Sequence, residues 1–363
     1  MTDVFLLGAG FSKAIHETMP LLTQLRDEAR TTLMRQGYTL ESWAVKPYSS
    51  FGGQMGDRMG MLKGNLRTDL HEPIGDRGNF ELYLSYLSQD QPWLTEAENH
   101  RNRSEFLTYS EVIGQVLLDA QNQALQEPLP AWLRDLLMKW HQSRAVVITF
   151  NYDCLVEKAA SELLKVKSGA RLDYSELYPV PITSILLRRA GIFGSDPENT
   201  FQLLKLHGSI NWYYSGSNMF YGEPIYDIRL KAGWSPQHGD IVADLKAKAP
   251  DKLPLIVPPT ATKSAYFNNE TIRSQWLLAR QSIEEAENLY CIGYSFPETD
   301  VMVRSLIAWS AKRGTLCYPV NPDPEIAKRL TIIFEEDQVD TAYVGSPKAV
   351  QDFAAEYTAS STP

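Results

Sequence analysis

Short apolar runs recur along the chain, and each is closed by small or polar residues. They are Val4 to Leu7 before Gly8-Ala9-Gly10, Ala145 to Phe150 before Asn151-Tyr152-Asp153, and Gln202 to Leu206 before His207-Gly208-Ser209. Leu253 to Val257 runs into Pro258-Pro259-Thr260, Leu289 to Ile292 into Gly293-Tyr294-Ser295, and Thr315 to Val320 into Asn321-Pro322-Asp323. A last run, Thr341 to Val344, ends in Gly345. Short, β-branched-rich runs bounded by turn residues predict buried strands. Near-continuous apolar character means burial on both faces, as in a parallel sheet between helices.

The stretches between these runs carry a different period. Leu155 to Val166, Glu270 to Glu287 and Asp300 to Lys312 place apolar residues at helical spacing. Strand then helix, repeated, predicts an α/β fold: a Rossmann-like, doubly wound, mostly parallel sheet, here with six strands. Ligands of such folds bind outside the carboxyl ends of the strands, where the polar clusters above fall.

Residues 25–140 interrupt the alternation. Leu25 to Arg35 reads as a helix, Phe51 to Gly64 as a loop, and Phe80, Tyr83, Leu84 and Leu87 share a helical face. Phe106 to Leu125 and Trp132 to Trp140 repeat that pattern. The expected organisation is a discontinuous core of residues 1–24 and 141–350, a mainly helical insertion at 25–140, and a tail at 351–363 that frays from Thr358.

Composition narrows the function classes. The 363 residues are 44% hydrophobic with a net charge of −9, which suits a packed core and gives no reason to expect a nucleic-acid surface. Cys154, Cys291 and Cys317 are far apart with no C-x-x-C pair, so neither a disulfide framework nor a metal site is expected. The apolar stretch before Gly8 is too short for a signal peptide, and no run approaches the roughly 18 apolar residues of a membrane span. The expectation is a cytoplasmic protein that does not engage a membrane.

Candidate chemistry lies at the strand ends. Gly8-Ala9-Gly10-Phe11-Ser12 reads as a strand-to-helix turn whose amides favour an anion, or as a tight turn without a ligand. The dehydrogenase fingerprint wants a third glycine where Lys13 stands, and an acidic strand end where Asp27 and Glu28 sit in a helical pattern; hydride transfer is disfavoured. Asn151 and Asp153 suit orienting a sugar hydroxyl, a water or an amide, and Asp153 also suits capping the next helix. His207 suits a base or hydrogen-bond partner, or a structural histidine. Trp212-Tyr213-Tyr214 suits core packing, Pro297 to Asp300 a helix start capped by Thr299 or Asp300, and Lys263 the surface.

Gly-Ala-Gly-x-Ser from Gly8, Thr-x-Asn-x-Asp from Thr149, His207-Gly208, Gly293-x-Ser295 and Asn321 stand in the order of the sirtuin motifs. Phe150-Asn151-Tyr152-Asp153, Leu206 to Trp212 and Gly293 to Asp300 resemble the bacterial sirtuin-like proteins of antiphage defence more than the deacetylases. The resemblance covers residues 4–22 and 145–345. It implies that Gly8, Ala9, Gly10 and Ser12 hold the pyrophosphate of NAD. Asn151 would contact the nicotinamide-side ribose and the attacking water, and Asp153 the carboxamide. His207 would be the catalytic histidine at the ribose hydroxyls, Gly293 and Ser295 would contact phosphate, and Asn321 the adenosine ribose. The four-cysteine zinc module of deacetylases is missing, and Met19-Pro20-Leu21-Leu22 replaces their Pro-Asp-Phe-Arg. The resemblance therefore does not extend to acyl-lysine peptides.

The expected activity is hydrolysis of NAD to nicotinamide and ADP-ribose, with NAD as substrate rather than cofactor. ADP-ribosyl transfer, cyclisation and non-catalytic sensing of NAD or ADP-ribose are the alternatives. With only about forty residues after Asn321, control is expected from a homo-oligomer or from a separately encoded regulatory partner.

Overall fold

The computed structural model describes residues 3–36, 80–165, 169–180, 182–184, 200–214, 225–228, 230–236, 252–257 and 269–360. The Phe51 to Gly64 loop, Pro258-Pro259-Thr260 and Lys263 lie outside them.

β1 (Asp3–Leu7) turns into α1 (Ala9–Ile15). Before the next strand come α2 (Leu22–Arg35), α3 (Phe80–Ser88), α4 (Glu96–Ala124) and α5 (Ala131–Ser143). The chain continues through β2 (Val146–Thr149), α6 (Leu155–Leu163), β3 (Thr183–Ser184), β4 (Gln202–Lys205), β5 (Gly208–Tyr214), β6 (Tyr226–Asp227) and β7 (Leu253–Ile256). It closes with α7 (Glu270–Glu285), β8 (Asn288–Ile292), α8 (Val301–Ser310), β9 (Leu316–Val320), α9 (Ile326–Leu330) and α10 (Ala349–Ala359).

The main sheet has five parallel strands in the order β4-β2-β1-β8-β9. From β1 the chain moves outward through β2 to β4, then returns to the other side for β8 and β9. The order therefore reverses between β1 and β8, where an open α/β sheet has its ligand crevice. Alternate strand positions feed two cores. Phe5, Leu7, Val147 and Leu203 join α5, α6 and α10 on one face, whereas Val4, Leu6, Ile148 and Leu204 join α7, α8 and α9 on the other. This is the α/β, Rossmann-like, doubly wound sheet that the apolar runs predict.

Trp140 is fully buried against Phe5 and Phe11, with ring centroids 5.2 and 6.1 Å away. Truncating so large a core side chain costs about 3–5 kcal/mol. Trp212 and Tyr214 are likewise buried in this core.

Two predicted strands differ. Leu253 to Val257 gives β7, but β7 is an edge of a second sheet, order β3-β6-β5-β7, and pairs antiparallel with β5. Pro254 lacks the N–H that a central strand needs, so an edge suits it. Thr341 to Val344 makes only an isolated bridge to Asn321, and Val344 N–H turns back to Thr341 O at 3.1 Å. Among the described residues the parallel sheet therefore has five strands rather than six.

The helical segment packs against the sheet. The expected boundaries at 24/25 and 140/141 fall inside α2 and α5. Phe80, Phe106, Val112 and Leu117 belong to the same continuous cluster as Phe5 and Leu7. α4 also begins ten residues earlier than Phe106. Its polar first turns carry no apolar period. Instead Thr95 N–H donates to Glu98 Oε2 at 2.8 Å and Glu98 N–H returns to Thr95 Oγ1 at 3.4 Å, a reciprocal cap that starts the helix. The expected tail from 351 is another difference. It begins within α10, where Phe353 is fully buried and Tyr357 donates to Asp3 Oδ2 at 2.8 Å.

The second sheet holds a buried carboxylate. Asp227 accepts from Tyr174 at 2.6 Å and from Asn211 Nδ2 at 2.8 Å. Burial pushes its pKa up to about 7 despite these two donors.

Among the described residues no helix is long and apolar enough to cross a membrane.

Candidate active site at the switch point

The turns after β1 and β8 are pressed together. Gly8 N–H donates to Ile292 O at 3.0 Å and Gly10 N–H to Gly293 O at 2.9 Å. A Cβ on Gly8 would lie 2.5 Å from Tyr294 Cα, and one on Gly10 2.8 Å from Gly293 Cα. Gly293 has φ +64°, and its Cβ would lie 2.2 Å from Phe11 N. The glycines thus serve the close approach of two turns. Two of the amides expected to meet an anion are spent on this contact. Ala9 remains exposed at the helix start, and its N–H has no partner among the described residues.

Ser12, expected to cap the helix or touch phosphate, is buried in a side-chain relay. Its hydroxyl donates to Asp153 Oδ2 at 2.6 Å and accepts from Asn151 Nδ2 at 2.9 Å. The second Nδ2 hydrogen of Asn151 goes to Gly8 O at 2.9 Å. Both amide hydrogens are therefore committed, and Asn151 Oδ1 has no partner among the described residues. A held amide with one open acceptor suits binding a hydroxyl or a water. Asp153 Oδ1 accepts from Leu155 N–H at 3.1 Å. Asp153 thus supports the start of α6 and holds Ser12 at once.

Beneath this turn lies a buried ion pair. Lys205 Nζ meets Glu157 Oε1 at 2.8 Å and donates to Asp153 O at 2.5 Å; both side chains are almost wholly buried. Tyr178 donates to the same Glu157 oxygen at 2.9 Å. Burial alone would lower the Lys205 pKa, but the charges of Glu157, Cys154 and Asp153 outweigh it and raise it. The insertion also reaches the turn: Gln121 of α4, fully buried, accepts from Cys154 N–H at 2.6 Å.

His207 lies between β4 and β5 and is buried beside Phe150 and Tyr152, with ring centroids 5.2 and 6.4 Å away. Its carbonyl accepts from Val257 N–H at 2.9 Å, and Tyr152 donates to Val257 O at 2.8 Å, so the ends of β2, β4 and β7 are tied together. Gly208, at φ +82°, turns the chain into β5. His207 Nε2 lies 3.6 Å from Asp300 Oδ2, and Tyr294 donates to that oxygen at 2.7 Å. Asn321 Nδ2 donates to Tyr294 O at 3.1 Å while its Oδ1 accepts from Asp323 N–H at 3.0 Å. Ser295 is exposed, and its carbonyl accepts from Arg329 at 2.9 Å.

The ten residues singled out in the sequence thus fall at the carboxyl edge of one sheet. Gly8, Gly10, Ser12, Asn151, Asp153 and Gly293 form one connected contact network; His207 and Asn321 join a second through Asp300 and Tyr294; Ala9 and Ser295 are exposed beside them. Sequence reasoning missed Lys205, Glu157, Gln121 and Arg329, and read Asp300 only as a helix cap. A lysine inside the apolar run Leu203-Leu204-Lys205-Leu206 was the available sign, since a buried charge must be paired. Among the described residues, no group of three or more His, Cys, Asp or Glu side chains is arranged to hold a metal.

No protein-family model matches the chain, and no curated protein matches it. The chain is similar to solved structures of Sir2 proteins. One is a Sir2 homologue–NAD complex, 12% identical over 76% of this chain and 77% of that one, with a TM-score of 0.37. Another is a Sir2 homologue mutant with ADP-ribose, 11% identical over 100% of this chain and 94% of that one, TM-score 0.37. A third, from work on the mechanism and regulation of Sir2 enzymes, is 13% identical over 68% and 78%, TM-score 0.33.

Proposed function

We propose that this protein hydrolyses NAD at the bond between nicotinamide and ribose, as a triggered NAD-depleting effector of the kind its sirtuin-like motifs resemble. The carrying observation is the held amide of Asn151, whose Nδ2 is fixed on Gly8 O and Ser12 while Oδ1 has no partner among the described residues. It sits on the same sheet edge as His207, at the switch point of a parallel sheet.

Cleavage sends the bonding electron pair to the pyridine nitrogen, so cationic nicotinamide leaves neutral. Positive charge builds on the ribose ring carbon, water adds there, and one proton is released. Asn151 Oδ1 would accept from that water or from a ribose hydroxyl and fix it in line. His207 would take a proton from the hydroxyls, which makes the sugar oxygen a better neighbour for the cation. In this reading Ala9 N–H, Gly8, Gly10, Ser12, Gly293 and Ser295 border the pyrophosphate, Asp153 lies toward the carboxamide, and Asn321 faces the adenosine ribose. The trigger in this reading is self-assembly or a regulatory protein.

The test is incubation of the purified chain with NAD across a range of protein concentrations, scoring nicotinamide, ADP-ribose, cyclic products and modified protein. Nicotinamide with equimolar ADP-ribose supports hydrolysis; a cyclic or protein-linked product replaces it with that chemistry. Asn151→Ala and His207→Ala should each remove nicotinamide release from a folded protein. Full activity in both would overturn the site.

A further inference from the structure

We infer that Asp300 is the positioning residue of His207, the carboxylate that holds the imidazole and sustains its protonated form. The inference rests on the NAD-cleavage reading for its chemical purpose, but its geometry is independent of that reading.

The Asp300 side chain is buried, with Oδ2 3.6 Å from His207 Nε2. Asp300 occupies the N-cap of α8, where an aspartate ordinarily accepts from the first helical amides. It makes no side-chain capping bond. Its carboxylate is turned instead toward His207 and the Tyr294 hydroxyl, which donates at 2.7 Å. The intervening loop is shaped for this. Phe296 sits at φ +50°, left-handed backbone that a non-glycine residue rarely adopts. Its ring is buried against Tyr294 at a centroid distance of 4.7 Å. Strained backbone of this sort persists where the surroundings hold it, often at functional sites.

Titratable groups face His207 from three sides: Asp300 before α8, Tyr152 after β2, and Tyr294 after β8 through its bond to Asp300. The nearby Lys205 directs its charge to Glu157 and Asp153. Among the described residues, Asp300 is the carboxylate in reach of the imidazole and placed to offset its charge. When His207 accepts a proton from a ribose hydroxyl, the O–H electron pair stays on oxygen and the positive charge appears on the ring. Asp300 faces that charge at short range and fixes which ring nitrogen is turned toward it.

The test reads the His207 C2–H resonance by NMR as pH is varied, assigned by its loss in His207→Gln. In Asp300→Asn the titration midpoint should fall by about one pH unit or more, the usual effect of removing an opposite charge at this range. Asp300→Glu keeps a carboxylate but displaces it, so the midpoint stays within about half that change while nicotinamide release falls about tenfold. In wild type the acid limb of the rate profile should follow the His207 midpoint. An unchanged midpoint in folded Asp300→Asn overturns the inference; if that variant does not fold, an unchanged rate in Asp300→Glu overturns it. Because the titration needs no turnover, absent NAD cleavage together with a shifted midpoint would remove the hydrolase reading and leave the Asp300–His207 pair standing.

Discussion

Ser12 and Asp153, 141 positions apart in the chain, share a hydrogen bond of 2.6 Å that joins the helix after β1 to the turn after β2. The same hydroxyl receives one hydrogen of Asn151. Ser12 is thereby a spacer that sets where the Asn151 amide points. Ser12→Ala should cost about 1–3 kcal/mol, because it strands a buried carboxylate oxygen and one amide hydrogen. Nicotinamide release should fall about tenfold, mainly in kcat, since orientation rather than binding is lost. Chemical denaturation and steady-state kinetics check the two parts separately.

The Lys205–Glu157 pair makes a second prediction. Glu157→Gln or Lys205→Met leaves one buried charge without its partner, which costs about 3–5 kcal/mol. The double variant Glu157→Leu with Lys205→Met should cost clearly less than the sum of the singles. A double-mutant cycle by denaturant unfolding reads the coupling. Additive losses would mean that the pair contributes only packing.

Asp227 gives a pH dependence with a definite sign. Its folded pKa, pushed up to about 7 by burial, exceeds the unfolded value near 4. Between these values the folded protein keeps a proton that the unfolded chain has released. The stability this contributes is full below about pH 4 and is lost as the pH rises to about 7. Wild type should therefore weaken relative to Asp227→Asn over that interval, as measured by unfolding at fixed denaturant series. A parallel pH course for the two proteins would contradict the buried, protonated carboxyl.

The glycine contact predicts a contrast. Gly8→Ala forces a Cβ to 2.5 Å from Tyr294 Cα, against backbone that cannot yield cheaply, whereas a Cβ on Gly314 meets nothing within 4 Å. Gly8→Ala should lose about 1–3 kcal/mol or more to overpacking. Gly314→Ala should change stability little. Thermal melts of the two variants side by side make the comparison.

The five strands of the main sheet were readable because each is a continuous apolar run, and burial on both faces writes itself directly into composition. The same rule misplaced Leu253 to Val257, since a run records burial but not the sheet that buries it. Pro254 was the local clue to an edge. Asn151, His207 and Ser12 were readable as strand-end polar residues in a motif order. Their actual partners were not, because Ser12–Asp153 and His207–Asp300 join segments far apart in sequence. Asp300 read as a helix cap on position alone, and only the fold turns its carboxylate away from that helix. Lys205 and Glu157 looked like isolated charges until α6 and β4 brought them together. Gly8 and Gly10 read either as an anion cradle or as a tight turn, and the close approach of Gly293 was not visible in either reading.

Gln121 reaches from the last turn of the long helix α4 to the backbone of Cys154, two residues past Tyr152 and directly after Asp153. The polypeptide inserted between the first two strands is thus spliced into the turn it precedes by some thirty positions. Excising it would leave a buried amide unanswered and strip one wall from the core. The helical segment is for that reason an organ of the sheet rather than an attachment, and a shortened chain made by cutting it away would not be a smaller version of the same protein.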